Sequence, residues 1–249
     1  MGTVPGEPTE GYAASMNIPK QPPEFEIIPH SRTRLAIGER VGRSRREIPH
    51  FDLFVQADAT AIVSYRQRCK QSGGFAPTFN DLFIYIVARL LPEFPILNAW
   101  YEEEGLRVFK PVHLGFAVQT DQGVLLPTLF DANRKPLRQI GEEARELTEL
   151  ARSGRLRASL QQWAGFTISN VGPKDIDLFN AIISPPQTAI LAIGPIGERP
   201  LVVGGALEAR PTVWLVLTVD HRIVDGAVGA GFLSAVKRAV ESWPGEDAE

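Results

Sequence analysis

The chain has 249 residues, of which 44% are hydrophobic and 22% charged, and its formal net charge at pH 7 is −3. This composition is that of a globular protein large enough for one substantial core, and the weak negative charge argues against nucleic acid or an anionic membrane as the main partner. The apolar runs are too short to span a bilayer, the N-terminus lacks the pattern of a signal peptide, and a single cysteine, Cys69, excludes an intramolecular disulfide. We therefore expect a cytoplasmic protein.

The first predicted elements follow an arm. Residues 1–30 contain six prolines among Gly, Glu and Ser residues, which predicts a flexible Pro-rich N-terminal arm. Ser31 is placed to cap a first helix, and the alternation of apolar residues in "HFDLFVQADA" predicts a half-buried strand. Thr78 and Asp81 form the pattern of a capping box, at the start of an apolar helix that ends before "PEFP".

The rest of the chain alternates strands and helices irregularly. "VHLGFAVQT" and "VLLPTLF", on either side of "DQG", predict two strands joined by a tight hairpin. An amphipathic helix from Leu137 to near Gly154 follows, then three strands in "FTISNV", "TAILAIG" and "TVWLVLTV", and a last helix from near Gly226. The pattern predicts a single α/β domain with a mixed sheet over residues 31–243, followed by a polar tail at 244–249.

The segment "TVDHRIVDGAVGAG", Thr218–Gly231, carries the chemistry that we single out. His221 follows a strand, where a side chain can project from a rigid element, and Asp225-Gly226 turns the chain into the last helix. Glycine gives a tight turn its backbone freedom, and aspartate can bond the turn's amides or a neighbouring cation. On spacing alone two interpretations stay open: a catalytic base with a supporting turn, or a satisfied histidine at a strand end.

Seven segments, in order, carry a resemblance that runs from about Ser31 to Glu241. They are "SRTRLAIGERV", "IPHF", "FPILNAW", "LGFAVQTDQGVLLP", "FTISNVG", "PPQTAILAIGPI" and "DHRIVDGAVGAGFL". With them the chain resembles the catalytic domain of the dihydrolipoyl acyltransferases, the core subunits of 2-oxoacid dehydrogenase complexes. The resemblance implies a chloramphenicol acetyltransferase-like fold, a two-layer α/β sandwich with a mixed β-sheet.

The same resemblance assigns roles to individual residues. His221 matches the general base, and Ser169, which lies 52 residues before it, matches the serine that donates to the oxyanion of the tetrahedral intermediate. Asp225 matches an acidic position that holds the turn and the geometry of the active site, and Gly226 matches the turn residue. The resemblance further implies acetyl-CoA or another acyl-CoA as a substrate, and a homotrimer whose active sites lie between subunits.

Several features limit or extend this reading. The four histidines are too scattered for a metal site, so no metal is expected. The arginines of "GERVGRSRRE" either meet coenzyme A phosphates or form a solvated helix face. Trp163-Ala164-Gly165 stands where the family tends to have a Gly-Gly-Thr-like run, which could reshape the acceptor site. Nothing in residues 1–30 resembles a lipoyl-lysine hairpin, so we expect no covalently attached lipoyl group on this chain.

The leading functional hypothesis is a free-standing acyltransferase that moves an acyl group, with acetyl expected, from coenzyme A to a hydroxyl or thiol on a small or carrier-bound acceptor. A second hypothesis is a core acyltransferase of a 2-oxoacid dehydrogenase complex, acting on dihydrolipoyl groups carried by another chain or by a removed segment. A third, of another class, is a non-catalytic trimeric scaffold. The acidic end "ESWPGEDAE" replaces an apolar segment of the family, which predicts a closed trimer that assembles no further.

Overall fold

The computed structural model describes residues 22–172 and 176–244. The chain divides into two units, Met1–Ser31 and Arg32–Glu249. In the first unit the described residues, 22–31, are exposed and form neither helix nor strand. Residues 1–21 of the expected arm and 245–249 of the expected tail lie outside the described residues, so the proposed domain bounds stay predictions. The following description concerns the second unit.

Five α-helices lie in the described part of this unit: α1 (Arg32–Glu47), α2 (Thr60–Gln71), α3 (Phe79–Leu90), α4 (Leu137–Arg152) and α5 (Gly226–Glu241). The capping box is confirmed, because Thr78 Oγ1 accepts the Asp81 N–H at 3.1 Å and the Asp81 carboxylate accepts the Thr78 N–H at 2.7 Å. None of the described helices is both long and apolar enough to cross a membrane.

The strands are β1 (His50–Asp58), β2 (Ala99–Glu102), β3 (Gly105–Val108), β4 (Leu114–Phe116), β5 (Val118–Thr120), β6 (Gly123–Leu125), β7 (Thr128–Leu129), β8 (Phe166–Asn170), β9 (Ala189–Ile193), β10 (Gly197–Val203) and β11 (Ala206–Asp220). The main sheet has the order β1-β11-β9-β8-β4-β7, and β10 pairs with the first half of β11. The pairs β4–β8 and β8–β9 are parallel and the others antiparallel, which confirms the mixed sheet.

The main core lies between one face of this sheet and the helices. Phe166 and Ile168 of β8 belong to it, together with Leu215 and Leu217 of β11 and residues of α3, α4 and α5. Side chains alternate between the two faces of a strand, so Ser169 points to the opposite face. On that face a smaller apolar cluster is formed by Ile48, Ala181, Ile183, Ile190, Ala192 and Val216. The fold is thus a two-layer arrangement.

The predicted central hairpin is more complex than expected. Each of its two strands breaks in the middle: β5 and β6 form their own two-stranded sheet, whereas β4 and β7 join the main sheet. The break at Ala117 occurs because its N–H donates to the Ile168 carbonyl of β8, at 2.9 Å, rather than to the hairpin partner. On the other strand Pro127 has no N–H to give, so the ladder changes partners there.

Two further strand pairs escaped the sequence analysis. The β2–β3 hairpin is short, and β10 contains Pro200, a residue that weakens a strand prediction. A usable signal was present, because Gly204-Gly205 separates two β-prone runs and both glycines have positive φ, 57° and 88°. Such a pair is a strong hairpin signal.

Candidate active site

His221 lies in the turn that begins where the interior strand β11 ends. The edge of the sheet formed by this end of the strands is called the His221 edge. The His221 side chain is exposed, its backbone N–H donates to the Pro49 carbonyl at 3.1 Å, and its ring meets the Phe51 ring edge-on with centroids 4.7 Å apart. Within the described residues, the structure records no hydrogen bond to the ring nitrogens of His221. Those nitrogens are therefore available to a substrate, and the backbone of the turn largely determines where they point.

The turn is held by Asp220, which is fully buried. The Asp220 carboxylate accepts hydrogen bonds from Arg222 Nε at 2.9 Å, from Arg222 Nη2 at 2.6 Å and from the Arg222 backbone N–H at 3.1 Å. The Asp220 carbonyl accepts the N–H groups of Ile223 and Val224. A buried carboxylate needs such partners. The hydrogen bond to Asp220 raises the pKa of Arg222 above its ordinary value, so the guanidinium stays charged.

Asp225 and Gly226 lie where the turn joins α5. Asp225 is exposed and occupies the N-cap position of α5, but its side chain makes no capping hydrogen bond. Within the chain, the hydrogen bonds that the structure records to a carboxylate of this turn are those to Asp220, and the expected role of Asp225 in holding the turn stays a prediction. Gly226 opens α5 without a positive φ, so backbone freedom does not explain it; a Cβ there would lie 3.4 Å from the Phe51 ring. Whether Asp225 takes part in catalysis stays a prediction.

Ser169 lies towards the opposite edge of the sheet, near the end of β8. It is half-buried, and the chain turns immediately after it, where Asn170 Oδ1 accepts the N–H of Gly172 at 2.8 Å. Gly172 has φ 66°, a conformation that suits glycine. Ser169 is thus fixed by a strand that pairs with β4 on one side and β9 on the other.

The structure does not bring Ser169 and His221 together within one chain. Ser169 pairs with Ala192 of β9, and Ala192 pairs with Val216 of β11, five residues before His221. At the usual rise per residue, His221 lies about 16 Å farther along the strand direction and two strands away. A single carbonyl group cannot contact both side chains across that distance, since each contact requires about 3 Å. The surroundings of Ser169 and of His221 are named the two half-sites, and their use in one active site stays a prediction.

A cavity of about 870 Å³ opens where β8 and β9 end, on the helix-covered face of the sheet and not on the face to which Ser169 points. The ends of β8 and β9 reach it through Asn170 and Ile193, and three arginines line it, Arg66, Arg145 and Arg152. Its wall also contains the hydroxyls of Thr78 and Thr148 and the carboxylates of Asp81 and Glu149. Burial raises the pKa of Asp81 above its ordinary value. The cationic side chains suit the phosphates of an extended ligand.

An aromatic group lies at the His221 edge of the sheet. Trp163 is 46% exposed, has φ 65°, and stacks on Trp100 with centroids 5.4 Å apart. Trp163 precedes β8, and the start of β8 shares an edge with the end of β11. The Trp163-Ala164-Gly165 departure is therefore on the side of His221, although it is only a few residues before Ser169 in sequence.

His50, another histidine in this part of the sheet, has structural contacts. His50 Nδ1 is 2.8 Å from the Ile48 carbonyl, and its Nε2 accepts the Ile183 N–H at 3.3 Å. These bonds tie β1 to the segment that covers the second sheet face. Among the described residues, no group of three or more His, Cys, Asp or Glu side chains is placed to hold a metal ion.

Sequence reasoning missed three residues around His221. Asp220 and Arg222 flank it, and the opposite charges in "DHR" could have been taken as a signal for an ion pair. Tyr101 could not have been found, because it comes from the β2–β3 hairpin, far away in sequence; its ring lies 4.0 Å below the Arg222 guanidinium.

The architecture defines the class of protein first. A structure of chloramphenicol acetyltransferase matches with a TM-score of 0.50 at 16% identity, over 88% of this chain and 98% of that chain. The expected fold class is thereby confirmed. This level of identity shows the fold alone.

Sequence comparison identifies a narrower group than the fold class does. The family model described as 2-oxoacid dehydrogenases acyltransferase (catalytic domain) matches residues 22–245, and the chain belongs to this family. The dihydrolipoyllysine-residue acetyltransferase component of the pyruvate dehydrogenase complex from Rickettsia felis is 33% identical over 229 residues, which are 90% of this chain and 56% of the relative. The chain thus spans little more than half the length of such curated relatives.

Two solved structures are close in shape. The dihydrolipoamide acetyltransferase of Azotobacter vinelandii, studied for the role of a serine, a histidine and an asparagine in its catalytic mechanism, has 33% identity and a TM-score of 0.85, over 91% of this chain and 98% of that chain. The cubic core of a pyruvate dehydrogenase multienzyme complex has 32% identity and a TM-score of 0.84, over 96% and 98%.

Proposed function

We propose that the chain transfers an acyl group, acetyl in the first instance, between coenzyme A and a thiol, with His221 as general base and Ser169 as oxyanion donor. One observation carries this proposal. In the A. vinelandii acetyltransferase, the histidine follows the serine by 52 residues and the asparagine follows the histidine by four. Ser169, His221 and Asp225 have the same two intervals, with aspartate in place of asparagine.

The chemistry follows from the two half-sites. His221 accepts the proton of the attacking thiol through its free ring nitrogen, which makes the sulfur nucleophilic as it attacks the thioester carbonyl. The carbonyl oxygen gains negative charge, and the Ser169 hydroxyl donates a hydrogen bond to it. When the tetrahedral intermediate collapses, the sulfur of the donor thioester leaves and takes the proton from His221.

The acceptor is the part of the proposal that sequence reasoning left open between hydroxyl and thiol. The names of the relatives favour a dihydrolipoyl thiol. Release of coenzyme A thiol from acetyl-CoA tests this choice, with dihydrolipoamide or a hydroxylated small molecule as the acceptor. Turnover with dihydrolipoamide supports the thiol, turnover with the alcohol alone supports the free-standing enzyme, and turnover with neither by an assembled oligomer supports the scaffold.

The separation of the half-sites also supports a trimer in which Ser169 of one chain faces His221 of the next. Co-expressing Ser169→Ala and His221→Ala chains tests this arrangement. Random mixing leaves one intact site in three-quarters of closed trimers, so activity should recover to about a quarter of the wild-type value, although each variant alone is inactive. If both residues acted within one chain, mixing would restore nothing.

Assembly beyond the trimer is a separate question. One relative forms a cubic core, and the size of the assembled particle decides whether this chain does the same. Light scattering at micromolar concentration should give three chains per particle. A stable particle of about two dozen chains would instead make this protein a complex core. The cytoplasmic location stays a prediction.

The cavity at the ends of β8 and β9 is proposed to take the phosphate-bearing end of coenzyme A. Arg145 and Arg152 are exposed side chains on α4 that face the cavity, and phosphate contacts of exposed cations weaken with salt. Arg145→Met should raise the KM for acetyl-CoA roughly twofold to fivefold, as expected for an exposed charge contact, with kcat little changed. The exposed Arg155→Met, outside the cavity, is the matched control. Equal KM in both variants would remove the cavity from the proposal.

A further inference from the structure

The turn that carries His221 is held by side-chain contacts that its sequence does not reveal. His221 lies between Asp220, which is fully buried, and Arg222, whose side chain is about one-third exposed. Arg222 bridges back over the turn to Asp220 with Nε and Nη2, while its own backbone N–H binds the same carboxylate. The two residues therefore fix the backbone on both sides of His221.

The Arg222 guanidinium also rests on Tyr101. Its central carbon lies 4.0 Å from the centroid of the Tyr101 ring. Tyr101 is itself held by its backbone N–H, which donates to the Pro186 carbonyl at 2.7 Å, just before β9. Asp220, whose N–H donates to the Thr188 carbonyl at 2.8 Å, is anchored to the same segment. The end of β11 and the β2–β3 hairpin are thus joined through one guanidinium.

We propose that Arg222 is a positioning residue: with Asp220 and Tyr101 it forms a clamp that sets the orientation of the His221 side chain. Phe51 contacts the His221 ring edge-on from β1, so the clamp and Phe51 together restrict the turn and the ring. Both guanidinium nitrogens that bond Asp220 are committed to that carboxylate, and one face of the group is covered by Tyr101. This use of two nitrogens and one face of the guanidinium points to an action through the turn. The inference rests on the proposed role of His221 as the base.

Kinetic constants separate positioning from substrate binding. Arg222→Met should lower kcat by about 10²-fold, the scale of loss that a misplacement of about 1 Å produces, with KM for acetyl-CoA and dihydrolipoamide within about twofold of wild type. Arg222→Lys keeps the charge but loses the two-point contact, so its kcat should lie between those of Arg222→Met and wild type. Arg107→Met is the matched control, because Arg107 is an exposed arginine on the β2–β3 hairpin that carries Tyr101, and it pairs with Glu102 at 2.9 Å. It should leave both constants unchanged. A raised KM with unchanged kcat in Arg222→Met would overturn the clamp in favour of substrate binding.

Tyr101 provides a milder variant in case Arg222→Met fails to fold. Tyr101→Leu removes the ring beneath the guanidinium and should lower kcat roughly threefold, which is the loss expected from one exposed cation–π contact. Tyr101→Phe keeps the ring and should recover most of that loss. A kcat for Tyr101→Leu and Arg222→Lys equal to wild type would overturn the inference.

The His221→Ala background distinguishes the two levels of the argument. If the clamp works through His221, Arg222→Lys should have no further effect on the residual rate of His221→Ala. If His221→Ala itself retains wild-type activity, the proposed function fails. If His221→Ala is inactive while Arg222→Lys, Arg222→Met and Tyr101→Leu are fully active, only the clamp fails.

Discussion

The two edges of the main sheet hold their functional residues by different means. Ser169 is part of a strand with paired strands on both sides, so backbone hydrogen bonds fix its position. His221 lies beyond the end of its strand, in a turn that depends on the charged side chains of Asp220 and Arg222. The difference implies that substitutions near Ser169 disturb its position little, whereas substitutions near His221 change both position and chemistry.

The largest effect should come from removing the base itself. His221→Ala should lower kcat by at least the 10²–10⁴-fold that general-base catalysis contributes, because it removes the imidazole that accepts the thiol proton. Single-turnover acyl transfer measures this, beside a thermal melt. His30→Ala, which changes an exposed histidine of the arm, is the matched control and should remain active. Near-normal turnover by His221→Ala would break the assigned mechanism.

Removing the oxyanion donor should have the next largest effect. Ser169→Ala should slow the chemical step by roughly 10²–10³-fold, the usual cost of one such donor. Its melting temperature should stay close to wild type, because the strand that holds residue 169 is set by its backbone pairing. Ser153→Ala, at the exposed end of α4, serves as the control. Loss of acetyl-CoA binding with normal turnover at saturation would make Ser169 a substrate-holding residue.

Variants of Asp225 test whether activity requires a negative charge at this position of the turn. Its side chain makes no capping bond within the chain, and the A. vinelandii enzyme has asparagine at the same interval. Asp225→Asn should therefore change kcat by less than about threefold, and Asp225→Ala should lose more, because alanine removes the polar atoms and a favourable N-cap residue. Steady-state kinetics of both variants decide the matter. An equal, complete loss in both would show that the negative charge is required.

The sequence predicted the strongly patterned elements and missed those that depend on distant partners. The capping box at Thr78 and the apolar face of α4 are local signals, and both are present. The family motifs located Ser169 and His221, but the 52-residue spacing could not show that the two residues lie towards opposite edges of the sheet. That separation follows from the pairing of β8, β9 and β11, which is a long-range property. Tyr101 reaches Arg222 only because of tertiary packing.

The smallest predicted effect concerns pH at the same edge of the sheet, just before β4. His113 Nδ1 accepts the Asp131 N–H at 3.0 Å, and Asp131 has φ 49°, so this bond supports a left-handed residue. Burial lowers the pKa of His113 below its ordinary value, with Asp131 opposing that shift. A histidine whose folded-state pKa is lowered contributes stability above the unfolded pKa of about 6.5, and that stability is lost as the pH falls towards the folded value.

In His113→Asn the amide oxygen can replace Nδ1 as acceptor and cannot be protonated in this range. Melting between pH 7.5 and 5.5 should therefore show a smaller fall in melting temperature for His113→Asn than for wild type. His30→Asn should fall as wild type does. If the melting temperature of His113→Asn fell as much as that of wild type, groups other than His113 would cause the loss of stability in acid.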